Sequence, residues 1–245
     1  MLFRSMKSLV NAVQSKPELL EALRRGVYQM AGEQFGEKSI NAFLDAANKR
    51  SLSFLFSPEQ LTNLRTTPGL SVWRPCDKVE TVAAWRSALE RKGPSALVFS
   101  RQGLPHQERS TEQLGNISKG AYILEDCDGE PSVILLASGS EVNICREAAK
   151  QLQADGIQVR LVSIPSTDVF AAQDAEYQEA VLPSAVRHRL AVEAGHGDYW
   201  YRWVGLDGDV ISLNRFGASG PGGEVMAHFG FTADNVAERA KALLG

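Results

Sequence analysis

The stretch VILLASGSEVNICREAAKQLQADGIQVRLV, residues 133–162, decides how this chain folds. Val133 to Ala137 is an apolar run without alternation, the signature of a strand covered on both faces. Ser138-Gly139-Ser140 turns the chain, and Glu141 to Ala154 then reads as a helix. Asp155-Gly156 punctuates its end, and Val159 to Val162 is a second strand. A strand, a helix and a strand in that order form a crossover between parallel strands.

The pattern continues toward the C-terminus. Leu190 to Glu193 and Val210 to Leu213 read as further strands, with a helix near Asp198 to Val204 between them. Thr232 to Leu244 is a closing helix, capped by Thr232 and patterned at Val236, Ala240 and Leu243. Residues 115–245 are therefore expected to form an α/β domain, a three-layer, mostly parallel sheet with helices on both faces.

Upstream, residues 58–114 hold one more strand–helix–strand unit. Ser71 to Cys76 (SVWRPC) is a short strand closed by Pro75. Lys78 to Arg91 is a helix with Asp77 placed to cap it, Gly93-Pro94 stops it, and Ala96 to Phe99 reads as a buried strand. Residues 1–57 differ, with helical periodicity and no strand alternation. Leu19, Leu20, Leu23, Val27 and Met30 mark one apolar face, and Ile40, Phe43, Leu44 and Ala47 a second after the Gly32 and Gly36 breaks. A helical hairpin of no recognised family is expected there. The first sixteen residues carry Arg4, Lys7 and Lys16, several serines and no acid. That bias suits a transit peptide as well as a plain basic amphipathic helix.

Composition narrows the function. Hydrophobic residues make up 44% and charged residues 22%, as in an ordinary globular protein. A net charge of −3 leaves no surplus of Lys and Arg to neutralise phosphates, so nucleic acid is not an expected partner. No apolar run approaches the ~20 residues that a membrane helix requires. Cys76, Cys127 and Cys145 form no C-x-x-C pair and are expected as free thiols, which fits a cytoplasmic setting. His106, His188, His196 and His228 have no metal-ligand spacing.

Four segments bear on chemistry. Ser138-Gly139-Ser140 sits between strand and helix, where backbone N–H groups attract anions. It lacks nucleotide-loop spacing, so the plainer reading is a turn with Ser140 as cap. Glycine-rich Gly217 to Gly223 (GASGPGG) reads as a loop with no titratable pair beside it. Glu193, His196 and Asp198 cluster after a strand, where such sheets often place ligands, but lack a neighbouring nucleophile. The aromatic run Tyr199, Trp200, Tyr201 and Trp203 reads as packing or interface. Arg101, in Ser100-Arg101-Gln102 directly after a strand, suits either a bidentate phosphate contact or a surface salt bridge.

Longer motifs add a resemblance. TPGLSVWRPCD and GPSALVFSRQGLP, followed in order by ASGSEV, IPSTDVF, VEAGHGDYWYRWVGLDG and FGFTADNV, resemble the C-terminal part of bacterial transketolases. The likeness runs from about Glu59 to the C-terminus, through the end of a pyrimidine-binding domain and a C-terminal domain. It implies kinship with thiamine-diphosphate-dependent transfer of a two-carbon ketol unit between sugar phosphates in the pentose phosphate pathway. In that family two chains build the cofactor sites, and the C-terminal domain touches no cofactor. The S-R-Q arginine helps hold the sugar phosphate, which assigns that role to Arg101.

The departures from the family are equally informative. The G-D-G motif that holds the metal ion, and the glutamate that drives the aminopyrimidine into its imino form, belong to segments not matched here. Where G-E-D-G-P-T-H-Q-P should precede Glu59, the chain has SLSFLFSP, Ser51 to Pro58. GASGPGGEVMAHFGF also departs from the family's S-A-P-A-x-x-L-F loop. The expected behaviour is therefore a fragment that binds neither thiamine diphosphate nor a divalent cation alone. It would act only with a complementary transketolase chain or within a homodimer. A non-catalytic remnant or regulatory subunit is the alternative, and a rearranged reading frame near Ser57 also fits the abrupt change of texture.

Overall fold

The computed structural model describes residues 58–100, 102–218 and 220–245. The helical hairpin and basic N-terminus expected over residues 1–57 lie outside them.

The main sheet has five strands: β3 (Tyr122–Glu125), β4 (Val133–Ala137), β5 (Val159–Ser163), β6 (Arg189–Glu193) and β7 (Asp209–Ser212). Their order is β3-β5-β4-β6-β7. The four strands β4 to β7 pair in parallel, and β3 joins the edge antiparallel to β5. This is the expected α/β sheet with an antiparallel edge added. Residues along β4 alternate between two cores. Val133, Leu135 and Ala137 face a core shared with α4 (Glu141–Ala154) and α9 (Ala233–Leu244). Ile134 and Leu136 face the other, shared with α5 (Thr167–Ala171), α6 (Ala175–Val181) and α7 (Tyr201–Val204). Both faces being covered explains why β4 reads as a continuous apolar run.

The N-terminal part of the described chain contributes α1 (Pro58–Thr66), β1 (Ser71–Trp73), α2 (Lys78–Glu90) and β2 (Ser95–Leu97). β1 and β2 form a separate two-stranded parallel sheet, with Val72 opposite Ala96. α3 (Thr111–Asn116) leads on to β3, and α8 (Gly222–His228) precedes α9.

Several local expectations need correcting. β2 begins one residue earlier than read and is half-buried rather than buried, packed against α2 and β1. The helix read near Asp198 opens as a 3₁₀ turn, Gly197–Trp200, before α7. Ser140 does not cap α4 with its side chain. Its hydroxyl donates to Glu141 Oε1 at 2.7 Å, a local bond that removes it from the helix N–H groups. The caps read at Asp77 and Thr232 are present, accepting from Val79 and Glu80 N–H and from Asn235 N–H respectively.

Candidate functional site

In a sheet of this topology, ligands bind at the carboxyl ends of the strands where the chain order reverses. Here that point lies beyond β4, flanked by β5 and β6. Ser138, Gly139 and Ser140 leave the end of β4, and Glu193 stands at the end of β6. The crevice is filled by two arginines from the preceding segment, Arg65 at the end of α1 and Arg74 just after β1.

Arg65 grips Glu193 with both terminal nitrogens, its Nη2 lying 2.7 Å from Oε2 and its Nη1 bonding Oε1. The Ser138 hydroxyl donates to Glu193 Oε2 at 2.5 Å, and Trp200 Nε1 donates to Oε1 at 3.0 Å. The Arg65 guanidinium also lies 5.3 Å from the Trp200 ring and 5.4 Å from that of Tyr199. Arg74 pairs with Glu141, donates to the Ser138 carbonyl, and reaches the Ser140 hydroxyl at 3.3 Å. Two buried cations thus meet two buried carboxylates, so the cluster carries no net charge. That balance is what makes four ionised groups tolerable out of water.

Glu193 shows the balance directly. Burial pushes its pKa up, but the charges of Arg65 and then Arg74 outweigh burial and hold it at about 2. It stays ionised as a structural anion and is unsuited to proton transfer near neutrality. The reading that grouped Glu193 with His196 and Asp198 is corrected by this geometry. Glu193 turns into the crevice, while His196 and Asp198 face outward, 3.8 Å from each other. In the aromatic run, Trp200 and Trp203 are buried, Trp203 packing 5.2 Å from Phe170, while Tyr201 is exposed.

Gly139 permits the arrangement. Its φ is +57°, and a Cβ there would meet the Arg74 guanidinium at 2.6–2.7 Å. The turn after β4 is therefore shaped around an arginine side chain.

A second polar cluster fixes the loop after β2. Asp77 Oδ2 accepts from Gln107 N at 2.9 Å and from Arg109 Nη1 at 2.7 Å, and lies 3.3 Å from His106 Nδ1. Glu80 accepts from Tyr122 Oη at 2.7 Å, Ser163 Oγ at 2.6 Å and Cys76 N at 2.7 Å. Burial, then the charge of Glu80, push the Tyr122 phenol well up, so it remains a neutral donor. Chain on both sides of Arg101 is thereby held, by β2 before it and by Asp77 after it. Arg101 itself lies outside the described residues.

Among the described residues no group of three or more His, Cys, Asp or Glu side chains is placed to hold a metal. The crevice beyond β4 is taken by Arg65 and Arg74. No helix among them is long and apolar enough to cross a membrane.

Sequence reasoning missed the two arginines. Arg74 lay in plain view within SVWRPC, but its partners Ser138 and Glu141 are more than sixty residues away.

Comparison with known proteins accounts for this joint. Residues 56–107 match the family described as transketolase, pyrimidine binding domain, and residues 120–232 match the transketolase-like TK C-terminal domain. Transketolase 2 of Aliivibrio fischeri is 57% identical over 187 residues, covering 76% of this chain and 28% of that protein. The curated relatives are thus matched over little more than a quarter of their length. The solved transketolase from Leishmania mexicana superposes with a TM-score of 0.70 at 34% identity, over 76% of this chain and 27% of its own. A split-gene transketolase, solved as an inactive beta4 tetramer, shares the fold at a TM-score of 0.63 and 21% identity, over 77% of this chain and 62% of its own. From residue 56 onward the chain belongs to the transketolase family, as the end of a pyrimidine-binding domain joined to a C-terminal domain.

Proposed function

We propose that this 245-residue chain supplies the C-terminal portion of a transketolase and is inactive until another chain completes it. The reaction is transfer of a two-carbon ketol unit between sugar phosphates, with thiamine diphosphate and a divalent cation held by the completing chain. The observation that carries this reading is internal to the sequence. The likeness runs from about Glu59 onward, yet Ser51 to Pro58 (SLSFLFSP), just before it, departs from the family where substrate-contacting residues belong.

Within that assembly Arg101 holds the sugar phosphate. That role is what the resemblance implies for the S-R-Q arginine, and a planar guanidinium is suited to a bidentate phosphate contact. Residues 58–114 serve as the remnant that carries Arg101, residues 115–245 as the docking body, and residues 1–57 as a separate helical segment. The setting is cytoplasmic, and the complete enzyme is a dimer of such assemblies. Likeness to the split-gene chain is one of fold, and adds only the precedent that a transketolase can be encoded in pieces. A non-catalytic subunit is the second reading, favoured by the same departure at SLSFLFSP.

The test is ketol transfer from a ketose phosphate to an aldose phosphate. The full chain is co-expressed with the part of the Aliivibrio fischeri relative that precedes its match. A gain over that part alone is expected, and no gain would leave the non-catalytic reading.

A further inference from the structure

A parallel strand pair has two outer edges, and here they differ. In the β1–β2 register, Ser71 and Trp73 point toward β2, so Val72 and Arg74 point away from it. The outward N–H groups of Val72, in β1, and of Arg74, just beyond it, are both taken. Val72 N donates to Asp168 Oδ1 at 3.0 Å, and Arg74 N donates to the Pro165 carbonyl at 2.7 Å. Even the Arg74 carbonyl is used, accepting from Gly139 N at 3.0 Å. The C-terminal domain has closed this edge.

Among the described residues the outer edge of β2 has no strand beside it. Val98 N donates to the Trp73 carbonyl, so Ala96 and Val98 belong to the β1 ladder while Ser95 and Leu97 point the other way. Among the described residues no strand pairs with them. The Ser95 hydroxyl is buried without a hydrogen-bond partner. β2 is half-buried along its whole length, although a strand of Ser, Ala and Leu is suited to a covered position. A two-stranded sheet with one such edge is marginal on its own.

We propose that the β2 edge, Ser95 to Leu97, receives a parallel strand from a separate polypeptide, and that this is where a completing chain docks. The inference rests on the split-enzyme reading and locates its interface. The occupant is an apolar, proline-free strand. Its backbone would pair with the outward N–H and C=O groups of Ser95 and Leu97, as in other cases of strand addition. Docking at the β1 edge is ruled out by Pro165 and Asp168.

The experiment has two arms. Hydrogen exchange on the full chain at low concentration should find the Leu97 amide fast, because no described strand pairs with it, and the Val98 amide slow. Adding the Aliivibrio fischeri part described above should slow Leu97. In the second arm, Leu97→Pro removes the outward donor and obstructs the incoming strand, while leaving Ala96 and Val98 on the β1 ladder. Binding should fall by about tenfold or more, the equivalent of ~1.4 kcal/mol. If Leu97→Pro fails to fold, the exchange arm decides alone.

A slow Leu97 amide in the isolated chain at all concentrations would mean that this chain closes its own edge, and would overturn the proposal. Protection that appears only as the chain is concentrated would assign the edge to a second copy, and would overturn it too. Tight binding unaffected by Leu97→Pro would place the dock elsewhere. The two claims separate cleanly. A proline-sensitive complex without ketol transfer would sustain the dock and sink the enzymatic reading, whereas proline-insensitive activity would do the reverse.

Discussion

Arg65, in the first described helix, and Glu193, at the carboxyl end of β6, form a two-pronged buried ion pair across 128 residues of sequence, with Nη2 2.7 Å from Oε2. The pair joins segments that match two different transketolase domains, and it fills the place where a sheet of this kind would otherwise hold a ligand.

Cutting one side of that pair should be costly. Arg65→Met leaves Glu193 buried with only Arg74, 3.9 Å away, as a cationic neighbour. A loss of about 3–5 kcal/mol is expected in urea unfolding of the full chain. The double variant Arg65→Met with Glu193→Gln should recover part of that loss, because the stranded charge is gone. No recovery would mean that packing, not charge, sets the cost.

Gly139 should be less replaceable than Gly156. Both have positive φ, +57° and +80°, so alanine is strained at each by about 1–2 kcal/mol. At Gly156 a Cβ meets nothing within 4 Å, whereas at Gly139 it runs into the Arg74 guanidinium. Gly139→Ala should therefore lower the unfolding free energy more than Gly156→Ala, and equal losses would refute the account of this turn.

Acid should weaken the joint over a defined window. Glu193 has an ordinary pKa of 4.5 and a folded value of about 2, so its ionised form is favoured by folding. Its contribution is whole above about pH 4.5 and is lost as pH falls toward 2. At ~1.4 kcal/mol per pKa unit this amounts to roughly 3 kcal/mol. Asp77, lowered by Arg109 and backbone N–H groups against the opposing effect of burial, adds in the same direction. Urea midpoints measured from pH 6 to pH 2.5 should fall, and Glu193→Gln should flatten the slope.

Thiol reactivity should divide the cysteines. Cys76 and Cys145 are buried, and burial pushes both thiols well up, whereas Cys127 is only partly covered. A disulfide reagent should titrate one thiol quickly in the native chain and all three after unfolding. Three fast thiols would contradict the packing described around α4.

Much of this fold is legible in the residues, for physical reasons. β4, its turn, α4 and β5 announce themselves because strands covered on both faces are dominated by apolar residues, and the helix between shows its own period. The Asp77 cap was equally plain, since one carboxylate serving two N–H groups is a local event. β3 was not, because an edge strand alternates buried and half-buried residues over only four positions. Glu193 drew attention by standing at a strand end, but its partner was mistaken. Spacing offers His196 and Asp198, and only the folded chain brings Arg65 across to it. Ser140 shows the same limit at short range, its hydroxyl preferring the adjacent Glu141 to the helix it was expected to cap.

Titration calorimetry of thiamine diphosphate with magnesium into the purified full chain tests the central claim most directly, because it asks whether the cofactor site resides in this polypeptide. The expected result is no saturable heat. Saturable binding in the micromolar range would place the site within these 245 residues and contradict the account.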